Sequence, residues 1–349
     1  MATFTILGAG MMGTAFCVPL ADRGHRVHLV GTHLDRAIIE SLQDRNFHPA
    51  LDLEIPEGII FHPIEELQQP GQESDWFVIG VNSLGVDWAA QQLLSLVKPG
   101  SHILFLTKRL AAQNGDLQIL PEVFRSRFPP SLGKSLHLYA LGGPSIAGEL
   151  ARRHPTSVVM ASRDNGRLEE LAGLLQTPFY HVHTTADLIG LEFCVVLKNF
   201  YSVGVGLAQA EGERPFAASN SPNVHNPAAS IFAQSMTEMV YLAGEYSGFQ
   251  ETTTGLAGAG DLYVTCQGGR NSRFGRFLAM GHALEEVREE RMKGETIEGY
   301  EVALAIGETL RSLMRRGRLD GKQLPLMAFL LNVMLDEKPA EIPWSQLHG

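Results

Sequence analysis

The N-terminal end of the chain alternates short apolar segments with a stretch of helical spacing. Residues 3–7 predict a short buried strand, residues 14–21 predict a helix that ends near Gly24, and residues 27–30 predict the next strand. Pro19 lies inside this helix and should kink it or force a local adjustment, because proline has no backbone N–H. Strand, helix and strand in about 30 residues make up one βαβ unit.

The same alternation continues through the first half of the chain. Strands separated by helical stretches are typical of a parallel, doubly wound sheet. A helix is predicted at residues 87–97. The further predicted strands are residues 76–81, 102–107, 136–141, 157–161 and 180–184.

The pattern changes after about Asp187, where apolar residues recur at helical spacing and no further strand is predicted. The predicted fold is therefore an α/β domain over residues 1–186 followed by an all-α domain over residues 187–349. Residues 211–226 predict a long loop, a kind of segment that is often functional. The predicted helices are residues 195–210, 228–247, 273–289, 300–315 and 326–335.

Composition narrows the class of protein. A chain of 349 residues is long enough for two domains. Its net charge of −10 and the lack of a basic stripe exclude a typical nucleic-acid binder. The N-terminus lacks a signal peptide and no run of 18 apolar residues is present, so we expect no transmembrane segment. The three cysteines are far apart, which favours a reducing compartment, the cytoplasm.

A glycine-rich turn, Gly8-Ala9-Gly10-Met11-Met12-Gly13, follows the first predicted strand and opens the first predicted helix. In such a turn Gly8 allows the tight bend, Gly10 lets the backbone approach a pyrophosphate, and Gly13 permits close helix–strand packing. The helix N-terminus then presents free N–H groups to the phosphates. The turn predicts a dinucleotide-binding (Rossmann) domain, the alternative being a glycine turn without a ligand.

The end of the second strand bears on the choice of dinucleotide. NAD-selective folds usually place an acid there to bind the ribose hydroxyls. Residues 29–32 contain none, whereas Thr32, His33 and Arg36 could accept a 2′-phosphate. This favours NADP over NAD. The alternative is that Arg36 is an ordinary solvated helix residue.

Lys198 is the only charged residue between Glu192 and Glu211, in a strongly apolar helical segment. Burying a lysine costs free energy unless the ammonium is paired or used. A buried lysine also shifts its pKa readily, which suits proton transfer. The alternative is a lysine whose ammonium reaches water at the rim of the helix.

Two further positions carry candidate polar chemistry. Lys108 closes the predicted strand 102–107, and strand C-termini face the ligand crevice in doubly wound sheets, so it could hold a phosphate or be an ordinary surface lysine. Asp261 lies among glycines that predict a tight turn aiming it, although it could instead cap a helix. Downstream, Arg270 and Asn271 follow two glycines, and arginine in such a loop suits bidentate phosphate binding.

Together these residues give the chain a resemblance to the NAD(P)-dependent glycerol-3-phosphate dehydrogenases over most of its length. The order and approximate spacing of the motifs match, which is more specific than the glycine turn alone. The matching segments are residues 8–13, 106–108, 142–145 with Ala147, 197–199, 258–262 with Thr265 and Cys266, 269–271 and 298–300.

The resemblance implies a Rossmann domain followed by a helical domain. It also implies reversible reduction of dihydroxyacetone phosphate to glycerol 3-phosphate, which supplies glycerophospholipid synthesis. Lys198 would give its proton to the carbonyl oxygen, Asp261 would hold Lys198, and Lys108 would assist. No metal is needed, because the nicotinamide supplies the hydride. The implied substrate contacts are Lys108, Gly143, Ser145, Lys198, Asn199, Asp261, Thr265, Arg270 and Asn271. The implied cofactor contacts are the glycine turn, Lys108, Ala147, Arg270 and Glu298.

Three positions depart from the family pattern. Gly148, Ala228 and Gln234 stand where the family usually has basic residues. They leave open a related dehydrogenase of another hydroxy acid or phosphorylated alcohol, and a non-catalytic nucleotide-binding relative. The predicted partner is a small phosphorylated three-carbon substrate, and the apolar helical domain could also support a homodimer.

Overall fold

The chain folds into two units, and a short segment of the second unit lies within the sequence of the first. The computed structural model describes residues 1–163, 166–211 and 225–347, so the predicted loop at 211–226 lies almost wholly outside the described residues. The first unit comprises Met1–Arg109 and Leu120–Leu191, and the second comprises Leu110–Ile119 and Glu192–Gly349.

The strands lie between Thr3 and Thr185 of the chain. They are β1 (Thr3–Leu7), β2 (Arg26–Val30), β3 (Phe47–His48), β4 (Leu53–Glu54), β5 (Ile59–His62), β6 (Trp76–Ile79), β7 (His102–Phe105), β8 (Leu110–Gln113), β9 (Asp116–Ile119), β10 (His137–Gly142), β11 (Thr156–Ala161) and β12 (Tyr180–Thr185).

Eight strands form the sheet of the first unit, in the order β12-β11-β10-β7-β6-β1-β2-β5. Neighbouring strands run parallel except β10 and β11, which confirms the predicted mainly parallel, doubly wound sheet. Side chains of β1 enter separate cores on the two faces, Ile6 in one and Leu7 in the other. Burial on both faces explains why these strands are almost continuously apolar. The carboxyl ends of β1, β6, β7 and β10 meet at one edge.

The helices follow the predicted periodicity with shifted ends. They are α1 (Met11–Asp22), α2 (Arg36–Arg45), α3 (Gln68–Glu73), α4 (Val86–Leu93), α5 (Leu120–Arg125), α6 (Pro130–Ser135), α7 (Ala147–Ala151), α8 (Leu168–Leu175), α9 (Leu188–Gln209), α10 (Asn226–Glu245), α11 (Gln250–Thr254), α12 (Asp261–Thr265), α13 (Arg270–Ala279), α14 (Leu284–Glu286), α15 (Glu298–Arg315) and α16 (Pro325–Leu335). Single π-helical turns span Leu256–Gly260 and Val287–Arg291.

Two predicted helices need comment. α1 continues through Pro19, so the proline does not end it. The helix predicted at 273–289 is wrong as one element, because α13 ends at Ala279 and α14 begins at Leu284. Gly281 lies between them with φ +89°, a left-handed conformation that commonly follows the end of a helix.

The sequence analysis missed a hairpin that belongs to the second unit. β8 and β9 pair antiparallel around Asn114 and Gly115, which have φ of +54° and +74°. Asn-Gly with both residues at positive φ favours a tight hairpin turn. The Gly115 carbonyl accepts a hydrogen bond from the Arg316 guanidinium at 2.7 Å. Residues 110–119, predicted within the first domain, therefore pack with the helices of the second unit.

α9 is the central helix of the second unit. It is long and apolar enough to cross a membrane by composition, but 94% of its most apolar window is buried inside the protein. A buried core helix meets the same compositional test, so this helix is no sign of a membrane span.

A buried carboxylate links three helices of this unit. Glu238 of α10 accepts hydrogen bonds from the Tyr201 hydroxyl of α9 and from the Leu326 and Met327 N–H groups at the start of α16, at 2.9, 2.6 and 2.8 Å. Burial raises the pKa of Glu238. The carboxylate thus satisfies N–H groups that a helix start leaves unbonded.

Glycines let α9 approach α13 closely. A Cβ on Gly275 of α13 would lie 2.1 Å from the Val203 carbonyl oxygen of α9, and a Cβ on Gly206 of α9 would lie 2.1 Å from the Ser272 carbonyl oxygen. Each helix therefore contributes a glycine to the crossing, and no larger residue fits without moving the backbone.

We expect Gly275→Ala to destabilise the protein by about 3 kcal/mol, because the added methyl group must push the two helices apart. Gly244→Ala is the matched control, since a Cβ there meets nothing within 4 Å and Gly244 lies inside α10. Urea unfolding monitored by circular dichroism measures both. Equal midpoints for the two variants would contradict the packing argument.

Candidate active site

The glycine turn connects β1 to α1 at the carboxyl edge of the first unit's sheet. Gly8 has φ +106°, and a Cβ on it would lie 2.9 Å from the Gly80 carbonyl after β6. A Cβ on Gly13 would lie 2.2 Å from the Gly8 oxygen. Gly8 and Gly13 are thus required by the fold itself.

Gly10 is different, because a Cβ on it would meet nothing within 4 Å. It precedes the first residue of α1, whose N-terminus has no side-chain cap. The first N–H groups of a helix lack intrahelical acceptors and favour an anion. Open space in front of these donors fits a dinucleotide pyrophosphate held by Gly10, Met11 and Met12.

Asp35 is a residue of this region that sequence reasoning missed. Its carboxylate accepts hydrogen bonds from the Ala9 N–H at 3.1 Å and the Thr32 N–H at 2.8 Å. An acid therefore reaches the end of β2 from the following turn, although the strand end itself has none. Arg36, the predicted partner of a 2′-phosphate, forms an exposed ion pair with Glu65 at 2.6 Å.

We expect Asp35→Ala to weaken dinucleotide binding about tenfold, because the Ala9 N–H of the glycine turn and the Thr32 N–H after β2 both lose their acceptor. Asp44→Ala is the control, since Asp44 is exposed on α2. Fluorescence titration with NADH and NADPH gives both dissociation constants. Unchanged constants in Asp35→Ala would show that the clamp on Ala9 does not shape the nucleotide site.

Other predicted residues follow β7 and β10 at the same edge of the sheet. Lys108 is half-buried after β7, and Gly143 follows β10 with φ +123°. Ala147 begins α7. The Ser145 hydroxyl oxygen is buried and has no hydrogen-bond partner in the described part of the chain. Buried polar atoms are normally hydrogen-bonded, so Ser145 is a group that a ligand could satisfy.

The second unit brings Lys198 and Asp261 into direct contact. The Lys198 ammonium of α9 donates a hydrogen bond to the Asp261 carboxylate, and the two residues are only 7% and 1% exposed. Asp261 begins α12 directly after the π-helical turn Leu256–Gly260. The tight turn predicted around Asp261 is thus helical. A Cβ on Gly258 would lie 1.9 Å from the Thr253 carbonyl oxygen, so this turn depends on a glycine.

A buried thiol lies near this pair. Burial raises the pKa of the Cys266 thiol to about 12, and the Lys198 charge opposes part of that rise. Cys266 therefore stays a neutral thiol at physiological pH. A buried ion pair is costly to break by removing one of its partners. The contact with Asp261 therefore holds the Lys198 ammonium in place.

A network of amides and one carboxylate includes Asn199, the residue that follows Lys198 in sequence. Asn271 donates to the Asn199 side-chain oxygen at 3.1 Å and accepts from the Gly299 N–H at 2.9 Å. Asn199 in turn donates to the Glu298 carboxylate at 2.7 Å. These contacts join α9, α13 and the start of α15. Both ends of the Asn271 amide are used inside the protein, so it positions its neighbours.

Arg270 is the first residue of α13, where sequence reasoning placed it in a loop. Its guanidinium lies 3.5 Å from the Glu298 carboxylate, and its side chain is 41% exposed. Gly269 precedes it without a side-chain cap, so the helix start has free N–H groups. An arginine beside a helix N-terminus suits a phosphate. The Thr265 hydroxyl donates to the Asp261 carbonyl at 2.7 Å.

The structure accounts for one of the three departures from the family pattern. Gln234 is buried and donates to the Glu238 carboxylate at 2.9 Å, so it belongs to the linkage of α10 with α16. Gly148 lies in α7, where its backbone carbonyl accepts from Arg152 at 3.0 Å, a contact that any residue type could make. Nothing in the structure explains Gly148 or Ala228.

The first unit is a Rossmann unit with an open glycine turn, and the second is a helical unit with a buried lysine–aspartate pair. Together they define a class of dinucleotide-binding proteins built from these two units. Family models described as the N-terminus and C-terminus of NAD-dependent glycerol-3-phosphate dehydrogenase match residues 3–167 and 187–343. An NADP(+)-dependent glycerol-3-phosphate dehydrogenase of Archaeoglobus fulgidus is 32% identical, over 86% of this chain and 87% of that relative. The chain belongs to the NAD(P)-dependent glycerol-3-phosphate dehydrogenase family.

Further relatives agree over the full length. A glycerol-3-phosphate dehydrogenase [NAD(P)+] of Serratia proteamaculans is 29% identical over 97% of this chain and 93% of its own. The crystal structure of glycerol-3-phosphate dehydrogenase from Coxiella burnetii superimposes with a TM-score of 0.78 at 25% identity, covering 97% of this chain and 96% of that one. Both units are therefore family features.

Proposed function

We propose that this protein interconverts dihydroxyacetone phosphate and sn-glycerol 3-phosphate with NAD or NADP. The observation that carries the proposal is the buried Lys198–Asp261 pair, which belongs to the same unit as Arg270 and the uncapped start of α13. The Lys198 ammonium suits a carbonyl oxygen that gains negative charge, and Arg270 with the start of α13 suits a phosphate. The product would feed glycerophospholipid synthesis.

Lys198 is the proposed general acid. When bound, the reduced nicotinamide supplies a hydride to the carbonyl carbon. Negative charge then develops on the carbonyl oxygen, and the Lys198 ammonium stabilises it and gives it a proton, which leaves a neutral amine. Asp261 holds the ammonium at one place, and solvent returns the proton after the alcohol forms.

Arg270 is the proposed phosphate ligand, together with N–H groups at the start of α13. Its fork of donors matches phosphate oxygens, and the helix dipole adds a partial positive charge. Asn271 at the start of α13 donates to Asn199 of α9, and Asn199 donates to Glu298. These hydrogen bonds hold the start of α13 against α9. Thr265 and Asn199 complete the proposed substrate contacts.

The first unit would supply the dinucleotide site and the remaining contacts. Residues of the glycine turn would hold the pyrophosphate, Thr32 the adenosine side, and Lys108, Gly143, Ser145 and Ala147 the end of the nucleotide that meets substrate. In the second unit, the family resemblance assigns cofactor contacts to Glu298 and Arg270. The orphaned Ser145 hydroxyl supports a ligand there.

One assay tests the proposal. Purified protein is mixed with NADH or NADPH in parallel, and absorbance at the nicotinamide band is followed after adding dihydroxyacetone phosphate. We expect oxidation with at least one nucleotide, and much slower oxidation with dihydroxyacetone, which turns over only at high concentration because it lacks the phosphate. If a substrate panel shows activity only with a hydroxy acid or another phosphorylated alcohol, the assignment of dihydroxyacetone phosphate as substrate is wrong. If the protein binds the nucleotide but turns over no substrate, it is a non-catalytic relative.

We also place the protein in the cytoplasm. All three cysteines are buried and none is in a disulfide bond, which suits a reducing compartment. A homodimer would fit the apolar second unit, and sedimentation equilibrium at micromolar concentration tests it.

A further inference from the structure

The first unit contains a polar cleft away from its glycine turn. The cleft is an open depression of about 400 Å³, lined by residues of α5 and α6, the start of β10, the segment after β11 and Leu188 at the start of α9.

The cleft lies at the opposite edge of the sheet from the dinucleotide site. His137 lines it and is the first residue of β10, whereas Gly8 follows the last residue of β1. β10, β7, β6 and β1 run parallel, so these two residues mark opposite edges. A strand of six residues spans about 20 Å. The cleft is therefore not part of the dinucleotide crevice.

The charges around the cleft are mainly positive. Arg125, Lys134 and Arg163 line it together with one carboxylate, Glu122, which leaves an excess of two positive charges even with His137 neutral. The chain as a whole has a net charge of −10. A local cationic excess in an acidic protein indicates a site for an anion.

The hydrogen bonding leaves donors available. Glu122 contacts the guanidinium of Arg163 at 2.8 Å and that of Arg125 at 3.5 Å. The Arg125 Nε atom is buried without a hydrogen-bond partner in the described residues, and Lys134 is exposed at the end of α6. An unpaired buried donor is costly unless something satisfies it.

The hydroxyl groups of the cleft are already committed. Ser135 donates to the Leu132 carbonyl at 2.7 Å, and Ser162 donates to the Leu138 carbonyl at 2.9 Å. The donors that remain for a ligand are therefore the two guanidiniums and the Lys134 ammonium. Guanidiniums bind phosphate oxygens in pairs, and two excess positive charges balance a phosphate dianion.

We propose that this cleft binds the phosphate group of a small phosphorylated metabolite, at a second site distinct from the active site. Glu122 competes with that phosphate for Arg125 and Arg163. The proposal uses none of the residues assigned to the reaction, so it stands or falls separately from the proposed function.

Isothermal titration at fixed ionic strength tests it, with inorganic phosphate and glycerol 2-phosphate as the two probes. The full chain carries Arg270→Ala in every sample, so that a phosphate bound near Arg270 does not contribute. We expect Arg125→Gln/Arg163→Gln to weaken binding at least tenfold. Arg127→Gln is the matched control, because Arg127 forms an exposed pair with Asp87 outside the cleft. Tighter binding of glycerol 2-phosphate identifies a phosphomonoester as the ligand, and equal binding identifies free phosphate.

Glu122→Gln should strengthen phosphate binding, whereas misfolding of a variant would weaken it. Removing the competing carboxylate frees both guanidiniums, so phosphate should bind about fivefold more tightly. The proposal is overturned if neither probe binds at millimolar concentration, if the double variant binds like the parent, or if Glu122→Gln weakens binding.

Discussion

Lys198→Ala lowers kcat for dihydroxyacetone phosphate by about 10⁴-fold and leaves dinucleotide affinity unchanged. The variant loses both the proton donor and the positive charge that stabilises the developing oxyanion. Dinucleotide affinity stays because Lys198 is not among the residues proposed to contact the dinucleotide. Steady-state kinetics and fluorescence titration with NADPH measure the two quantities. Lys322→Ala, an exposed lysine, is the control and should retain full activity.

Loss of activity in Lys198→Ala could also come from instability. Removing the ammonium takes the Lys198 partner away from the buried Asp261 carboxylate, and breaking a buried pair in this way costs about 3–5 kcal/mol. Lys198→Ala/Asp261→Asn removes that charge, so it should recover thermal stability without recovering activity. A double variant that regains turnover would assign Lys198 a structural role instead of proton transfer.

Arg270→Ala raises KM for dihydroxyacetone phosphate by about 100-fold, because the phosphate loses a paired, charged hydrogen-bond donor. Turnover of the phosphate-free analogue dihydroxyacetone, measured at high concentration, should stay at the parent's level. The variant therefore loses its preference for the phosphorylated substrate.

Arg273→Ala is the matched control for Arg270→Ala. Arg273 lies one turn further along α13 and forms an ion pair with Glu295 at 2.6 Å. Removing it takes the same charge from the same helix without touching the start of α13. An equal rise of KM in the two variants would mean that Arg270 acts only through the general field, and the phosphate assignment would then be wrong.

Much of the first unit could be predicted from the sequence. Apolar runs, a glycine turn and helical spacing follow one another along the chain, so β1, α1 and β2 are visible without any distant contact. The short strands were missed because β5 and the β3–β4 pair lack a clear alternation. The hairpin at 110–119 did carry a signal, Asn114-Gly115, but its packing partner lies about 200 residues away at Arg316.

The candidate site was likewise predictable only in part from the sequence. Lys198 could be found because an isolated charge in an apolar helix is costly, and Asp261 because glycines surround it. Their direct contact spans 63 residues and depends on a π-helical turn that no local pattern indicates. Asp35 was overlooked since only the folded turn brings its carboxylate to the Ala9 N–H.

By itself the sequence determined most of the longer strands and helices, the position of the glycine turn after the first strand, and the isolated charge of Lys198 in an apolar helix. These properties depend on residues close together in the chain, through periodicity, glycine geometry and the cost of burying charge. Only the tertiary structure decided that Asp261 holds Lys198, that Asn271 bonds to Asn199, and that Arg125, Lys134 and Arg163 share one cleft. Those outcomes depend on long-range packing, such as the glycine crossing of α9 and α13, which sets distances that no short segment encodes.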